Sequence, residues 1–443
     1  MGAIMRNFTV HAYCFRIAYP TFSPCKSLIT QPIAGRSRAG TKDDLGVTIV
    51  NTIDYRAKAT DTRIIMMPDL NHEFPLDDQL CYLNHAAVAP WPRRTADTVA
   101  AFARTNIHRG AADYEQWLLV EKRLRQQLAR LINAPSTRNI ALQKNTSEGL
   151  STIAYGLPWQ AGDRIVITNQ EFPSNRIVWE SLQNQGVEVV EASLDGADPE
   201  ASIIACLDSR VRLLAISSVQ YGSGLALDLN RLGQACRERG ILFCVDAIQS
   251  LGALPFDVTA CGADFVVADG HKWMLGPEGL ALLYVADSQL ERLALHQFGW
   301  HMVQDRGNYD TKTWTPASDA KRFECGSPNM LGVYALSASL SLLEDVGMAQ
   351  VHLRLLDNVR QLESLLQEHP EVELITRTDR ALRSGILTFR HRSMAAQDLF
   401  QHLKQHGVVC ACRGGGIRFS PHFYTQPDVL HRAVQHIPLQ ERY

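Results

Sequence analysis

The sequence predicts an α/β protein with a large domain, in which helices cover both faces of a mostly parallel sheet, and a smaller α+β domain at the C-terminal end. Short apolar runs alternate with helix-compatible stretches up to about residue 285. Strands that are apolar throughout are typical of a parallel sheet buried on both faces. After about residue 330, two long helical stripes precede shorter strands. The 443 residues, 46% of them hydrophobic, are enough for two or three domains.

The elements of the large domain follow from their periodicity. Apolar residues recur at helical spacing over Tyr114–Asn133, and a second helix over Asn230–Arg239 is closed by Gly240. A third helix is predicted over Asn175–Gln185. The predicted buried strands are Arg164–Thr168, Leu213–Val219, Ile241–Val245, Phe265–Ala268 and Leu280–Val285.

The small domain has longer helices and shorter strands. Its predicted helices are Val333–Val346, Val351–Glu368 and Ala395–His406. Its predicted strands are Val372–Ile375, Gly385–Arg390, Val408–Ala411 and Ile417–Ser420. We therefore expect an N-terminal segment at 68–95, a large domain at 96–325 and a small domain at 326–443.

The N-terminal stretch differs from the rest in composition. Residues 1–42 contain six basic residues and no Asp or Glu, as organellar presequences do. The alternative is a translated upstream region, because Met66 and Met67 stand just before the regular pattern begins. Residues 1–67 are therefore set aside from the fold prediction.

Charge and cysteine content exclude several classes of protein. A net charge of −2 gives no basic footprint for nucleic acid or an anionic membrane, and no run of 18 apolar residues predicts a transmembrane helix. The ten cysteines are scattered and form no Cys-x-x-Cys pair, so neither a disulfide framework nor a metal is expected. We expect a cytoplasmic protein, or an organellar one if residues 1–66 are a genuine presequence.

Polar residues follow several of the predicted strands. Ligands of open α/β sheets gather at the carboxyl ends of the strands, so these residues indicate a site. Asp246 ends an apolar strand, and its carboxylate therefore needs a cation or several donors. Lys272 follows the next strand. Taken alone, it is either a surface lysine before the Gly276-Pro277 turn or an amine able to form an imine.

Two further segments have phosphate-binding features. Thr146 and Ser147 open a predicted helix, where hydroxyl groups and free N–H groups either cap the helix or bind a phosphate. The glycine-rich run from Cys412 to Gly416 lacks the spacing of a dinucleotide-binding loop.

Five motifs occur in a fixed order: N-T-S-E-G, E-F-P-S-N, V-D-A-I-Q-S, D-G-H-K-W and R-F-E-C-G-S-P-N. In this order they resemble the class V aminotransferase family, fold-type I pyridoxal-phosphate enzymes that include cysteine desulfurases, selenocysteine lyases and isopenicillin-N-epimerase-like proteins. The resemblance runs from about Tyr82 to His436.

The resemblance implies a role for each matched residue. Lys272 would form the Schiff base with pyridoxal phosphate, Asp246 would pair with the pyridinium nitrogen, and Arg418 would bind the substrate α-carboxylate. Ser327 would reach the phosphate of a neighbouring subunit, which implies a homodimer. The other implied contacts are Gln249 with the phenolic oxygen, Thr146, Ser147, Asp269 and His271 with the phosphate, Phe172 and Gln220 with the ring, and His85 with the substrate.

The sequence departs from the desulfurases in two places. Phe172 stands where many of them stack a histidine, and the segment between Gly407 and Arg418 is too short for their cysteine-bearing loop. Cys410 and Cys412 are expected to be buried core thiols. The leading hypothesis is an enzyme acting at Cα of a small amino acid, nominally an aminotransferase, with transamination, racemisation and β-elimination left open. The alternatives are a cysteine desulfurase or selenocysteine lyase, and a non-catalytic binding protein on this fold.

Overall fold

Two β-sheets and one additional strand pair organise residues 67–439, the part of the chain that a computed structural model describes. The predictions about residues 1–66 lie outside this range. The described strands are β1 Cys81–Tyr82, β2 Ile140–Gln143, β3 Arg164–Thr168, β4 Glu188–Ala192, β5 Val211–Ser217, β6 Leu242–Asp246, β7 Phe265–Asp269, β8 Ala281–Val285, β9 Val372–Leu374, β10 Leu387–His391, β11 Val408–Val409, β12 Ala411–Arg413 and β13 Gly416–Phe419.

Helices connect most of the strands. The described α-helices are α1 Leu70–Glu73, α2 Arg93–Arg109, α3 Tyr114–Leu131, α4 Thr146–Gly156, α5 Ser174–Glu180, α6 Pro199–Ala205, α7 Leu229–Arg239, α8 Val258–Cys261, α9 Asp287–Leu290, α10 Met330–Val346, α11 Met348–Glu368, α12 Ala396–Gln405 and α13 Pro427–Gln435. Short 3₁₀ turns lie at Thr137–Asn139, Ser181–Gln185, Trp300–Met302 and Ala320–Phe323.

The large sheet has the strand order β2-β8-β7-β6-β5-β3-β4. The strands from β7 to β4 in this order run parallel, whereas β8 is antiparallel to both β7 and β2. The prediction of a mostly parallel sheet is thus confirmed. All five strands predicted for the large domain belong to this sheet, with ends shifted by at most two residues.

Both faces of the large sheet are buried. Neighbouring residues of one strand point to opposite faces, so Ile165 and Ile167 of β3 join one apolar cluster while Val166 joins the other. Each fully buried aliphatic side chain of this kind contributes about 1.5–3 kcal/mol to stability. Helices α4 and α5 cover one face, and α3, α7 and α10 cover the other.

The four-stranded sheet has the order β12-β13-β10-β9 and is antiparallel. The prediction of one strand over Val408–Ala411 is wrong, because β11 pairs with β1 while β12 pairs with β13. The N-terminal segment therefore lies beside the C-terminal part of the chain. No helix within residues 67–439 combines the length and apolar character needed to span a membrane.

Candidate active site

A cavity of about 240 Å³ opens at the carboxyl ends of β6 and β7, next to the first turn of α4 and the β12–β13 hairpin. This is the edge of the sheet where the sequence predicts a site. The predicted site residues that line the cavity are Thr146, Ser147, Phe172, Asp246, Gln249, Asp269, His271, Lys272 and Arg418.

Lys272 lies in a tight loop that follows β7. The loop is held by the Leu275 N–H, which donates to the Lys272 carbonyl (2.9 Å), and by the Ala89 N–H, which donates to the His271 carbonyl (2.9 Å). Leu275 has a φ of 63°, a conformation that residues other than glycine rarely adopt and that is common near functional sites. The Lys272 side chain is buried, and its Nζ lies 5.7 Å from the centroid of the Phe172 ring.

Burial lowers the pKa of Lys272, because an ammonium group loses hydration inside the protein, and the carboxylate of Asp246 only partly offsets this effect. The pKa of Asp246 is raised by its own burial. Asp246 is 2% exposed, and within residues 67–439 its carboxylate accepts one hydrogen bond, from the Ile248 N–H (3.0 Å). A carboxyl group with so few donors is suited to a cationic partner supplied by a ligand.

The first turn of α4 presents donors to the cavity. Asn145 caps the helix, with its Oδ1 accepting from the Glu148 N–H (2.9 Å). The Thr146 hydroxyl accepts from the Asp269 N–H (3.2 Å), so its own proton is available to a ligand. Ser147 donates to Ser174 (2.8 Å). The helix dipole, the N–H groups of this turn and the Thr146 hydroxyl favour an anion such as a phosphate at this end.

Several buried polar atoms at the cavity have no hydrogen-bond partner among the described residues. Asp269 Oδ1 and His271 Nδ1 lie 3.1 Å apart but without hydrogen-bond geometry, and Arg418 Nε is also unpartnered. Arg418 Nη1 donates to the Tyr221 carbonyl (2.8 Å), and burial lowers the pKa of Arg418 to about 10. Since buried polar atoms are normally paired in native proteins, these atoms indicate a ligand-binding site.

Three predicted site residues lie outside the cavity wall. Gln220 is fully buried and donates to Glu171 Oε1 (3.2 Å). His85 is fully buried, with Nδ1 2.8 Å from the Ser420 carbonyl and Nε2 2.7 Å from the Tyr424 hydroxyl. Ser327 lines a separate cavity, together with Lys144, Glu148 and Cys325. Their roles remain predictions.

The cavity also contains residues that the sequence analysis did not select. They include Tyr221, Ser174, Glu278 and Arg413. The alternation of the β12–β13 hairpin could have revealed Arg413, because Arg413 pairs with Gly416 and Ala411 pairs with Arg418. Cross-strand partners share a face of the sheet, so both arginines lie on one face and Cys412, paired with Ile417, lies on the other.

Glu171, in the motif E-F-P-S-N, was not assigned a role either. Its buried carboxylate accepts hydrogen bonds from the Thr168 hydroxyl (2.8 Å), the Asn175 amide (2.9 Å) and the Ser217 N–H (3.0 Å). It therefore ties together the ends of β3 and β5 beside the cavity.

A buried lysine and a buried carboxylate at adjacent strand ends, with a helix N-terminus beside them, define a lysine-centred site on an α/β sheet. The chain belongs to the aminotransferase class V family, whose model matches residues 81–424. The cysteine desulfurase of Salmonella agona is 30% identical over 347 residues, which cover 74% of this chain and 82% of that protein. This family is pyridoxal-phosphate-dependent.

Solved structures show the same fold. The cysteine desulfurase CsdA of Escherichia coli has a TM-score of 0.74 and 25% identity, covering 82% of this chain and 96% of its own. A C-DES variant with glycine covalently linked to its pyridoxal-phosphate cofactor has a TM-score of 0.77 and 22% identity, covering 83% of this chain and 98% of its own. These similarities confirm the predicted fold class and family.

Proposed function

We propose that this chain is a pyridoxal-phosphate enzyme that acts at Cα of a small amino acid and holds its cofactor through a Schiff base to Lys272. The observation that carries the proposal is the buried Lys272 amine, whose pKa is lowered by burial and whose cavity also contains Asp246 and Arg418. An unprotonated amine is the nucleophile that imine formation requires.

The residues present fit this cofactor. The Asp246 carboxylate lies at a strand end with one hydrogen-bond donor among the described residues, which suits a protonated ring nitrogen. The Thr146 hydroxyl, the Ser147 N–H in the first turn of α4 and His271 offer donors to a phosphate. Phe172, 38% exposed at the cavity, offers an aromatic face. When bound, pyridoxal phosphate supplies an electron sink for the bonds at Cα.

The chain's own groups then orient the substrate and move its proton. Among the described residues, Arg418 Nη1 donates to Tyr221 and Nε has no partner, so the guanidinium has donors for a carboxylate. A forked contact would fix the orientation of the amino acid. The Lys272 amine is buried in the same cavity and can serve as the base that moves the Cα proton. Lys272 is 9% exposed, which limits the access of water to it.

A screen of amino acids against the cofactor-loaded protein tests the proposal. We expect at least one small amino acid to change the visible absorbance of the bound cofactor and to be converted to a product detectable by mass spectrometry. Stable cofactor binding without conversion of any amino acid would favour the non-catalytic alternative, and failure to bind the cofactor would overturn the proposal.

Cysteine desulfuration is the second candidate, favoured by the names of the relatives. The position of Cys412 argues against a sulfur relay through this residue, since it lies on the opposite face of the hairpin from Arg418. It is half-buried, so the prediction of a buried core thiol holds for Cys410 but not for Cys412. Burial also raises the pKa of Cys410 to about 12, which disfavours its thiolate.

Incubation with cysteine and measurement of alanine and sulfide tests this candidate. If desulfuration occurs, we expect a Cys412→Ala protein to keep its rate within about twofold, because Cys412 lies on the face of the hairpin opposite Arg418 and the substitution is small. A large loss in that variant would instead support a relay through Cys412.

We also infer a homodimer in which Ser327 serves the neighbouring site, and a cytoplasmic location that suits the unpaired thiols of residues 67–439. Mixing Lys272→Ala with Ser327→Ala protein tests the shared site. Recovery of activity on mixing supports it, whereas a monomer in solution contradicts it.

A further inference from the structure

The side-chain amide of Gln249 is fixed in one orientation by two neighbours. Its Oε1 accepts a hydrogen bond from Trp273 Nε1 (2.9 Å), and its Nε2 donates to the Ala86 carbonyl (3.0 Å). An indole nitrogen only donates and a backbone carbonyl only accepts, so these contacts allow a single assignment of the amide oxygen and nitrogen. Within residues 67–439, one N–H of Gln249 is left without a partner, and the side chain lines the cavity.

Trp273 is itself held rigidly. Its side chain is fully buried, and a Cβ at Gly385 would overlap the indole ring, so only glycine leaves room for it. His422 Nδ1 accepts from the Phe423 N–H (2.8 Å), which leaves Nε2 protonated to donate to the Trp273 carbonyl (3.1 Å). The direction of the indole N–H is therefore set by packing on its ring and by a hydrogen bond to its backbone.

We propose that Trp273 is a positioning residue that keeps an N–H of Gln249, rather than its carbonyl oxygen, available to the phenolic oxygen of bound pyridoxal phosphate. The inference rests on the proposed function. A hydrogen-bond donor stabilises the negatively charged form of that oxygen and weakens its attraction for a proton on the Lys272 nitrogen. An amide that presented its oxygen would have the opposite effect.

A Trp273→Phe protein tests the inference, because it removes the indole N–H and keeps an aromatic ring. The readout is the pH midpoint of the visible absorbance of the bound cofactor without substrate. We expect the midpoint to rise by about one pH unit, the size expected of a hydrogen bond to a charged group. The charged and titratable groups facing this region, which the variant leaves unchanged, are His85, Asp246, Asp269, His271, Glu278, Arg413, Arg418 and His422.

Trp159→Phe is the matched control. Its indole N–H donates to the Ala154 carbonyl (2.6 Å) near the far end of α4, so its loss should leave the midpoint unchanged. A Gln249→Ala background provides the second test. If Trp273 acts through Gln249, adding Trp273→Phe to Gln249→Ala should cause no further shift.

An unchanged midpoint in Trp273→Phe, or a shift that persists in the Gln249→Ala background, overturns the inference. If Trp273→Phe does not fold, Gln249→Glu replaces the donor by an oxygen without altering Trp273, and an unchanged midpoint there overturns the inference as well. A native protein whose bound cofactor has no visible band attributable to Lys272 would instead overturn the proposed function.

Discussion

Two buried clusters of charged residues differ in how completely their groups are paired. In the first, which we call the Arg125 cluster (Glu121, Arg125, Glu324), Arg125 Nη1 and Nη2 donate to the two oxygens of Glu324 at 2.6 and 2.8 Å. Arg125 Nε also donates to Glu121 (3.1 Å), and Glu324 accepts from the Leu142 N–H (2.9 Å). The second cluster, around Lys272, leaves buried atoms of Asp269, His271 and Arg418 without partners in the described part of the chain.

This difference in pairing distinguishes a cluster that stabilises the fold from a cavity that is suited to bind a ligand. The carboxylates of Glu121 and Glu324, with His301, lie within 4.8 Å of one another and resemble a metal site in composition. The Arg125 guanidinium binds both carboxylates and offsets one of their two negative charges, so the Arg125 cluster fixes α3 to the segment that follows Phe323. The Lys272 cavity maintains buried polar atoms that have no hydrogen-bond partner within residues 67–439, a cost that a bound ligand offsets.

Replacing Lys272 should give the largest effect on activity. We expect Lys272→Ala to abolish turnover and the visible absorbance of the bound cofactor while leaving the free energy of unfolding unchanged or higher, because a buried amine is removed. Enzyme assays and urea unfolding measure both quantities. Lys144→Ala, at a side chain that is 80% exposed, is the control and should retain activity. If Lys272→Ala markedly lowered the free energy of unfolding, Lys272 would stabilise the fold as Arg125 does, and the proposed difference between the clusters would be wrong.

Replacing Arg125 should mainly lower the stability of the fold. Arg125→Leu leaves two buried carboxylates unpaired, and we expect it to lower the free energy of unfolding by about 3–5 kcal/mol. Arg130→Leu breaks an exposed pair with Glu344 and should cost about 0–1 kcal/mol. Urea unfolding of both variants makes the comparison. If both variants lost the same free energy of unfolding, the buried Arg125 would contribute no more to stability than the exposed Arg130.

His85 extends the comparison, because it lies near the cavity yet both its ring nitrogens are paired. Burial lowers the pKa of His85 to about 4 from an unfolded value of about 6.5. Between these pH values the unfolded chain binds the proton and the folded protein does not, so stability rises with pH through this window. The contribution reaches about 3 kcal/mol and is lost as the pH falls from 6.5 to 4.

Urea unfolding at several pH values measures this contribution, with His85→Gln as the variant. We expect the variant to have a smaller loss of stability between pH 6.5 and 4 than the native protein. An identical pH dependence would show that His85 is not neutral when folded.

Arg418→Lys should have the smallest of these effects. Lysine keeps the charge but cannot form the forked contact, so we expect KM for the amino acid to rise about 10- to 100-fold, with a smaller change in kcat. Arg413→Lys, at an exposed arginine of the same cavity, should change KM less. Steady-state kinetics distinguish the two, and a reversed order would indicate that Arg413 is the main carboxylate contact.

The sequence predicts best those features that depend on local pattern. The strands leading to Asp246 and Lys272 are continuous apolar runs, and their common direction brings the two residues together. Strand β4 was missed because two glutamates interrupt its apolar run at the edge of the sheet. The division of Val408–Ala411 between two sheets depends on the pairing of Val408 with Cys81, which is distant in sequence, and of Ala411 with Arg418, across a turn.

Tertiary contacts explain the remaining differences at the site. The amide of Gln220 is engaged by Glu171 and the ring of His85 by Ser420 and Tyr424, and neither contact has a local signature. Arg413 could be found only once the hairpin register was known. The sequence identifies the residue types that give the cavity its chemistry. Which residues line the cavity depends on contacts between residues that are far apart in sequence.

The contact between the N-terminal segment and β13 has a consequence for biosynthesis. The His85 ring and the Ser420 carbonyl are joined across 335 residues, and the same segment holds the loop of Lys272 through Ala89. Because a chain is made from its N-terminus, this contact forms only after Ser420 has left the ribosome. The cavity is thus completed late, since a nascent chain that ends before β13 lacks both Arg418 and the partner of His85.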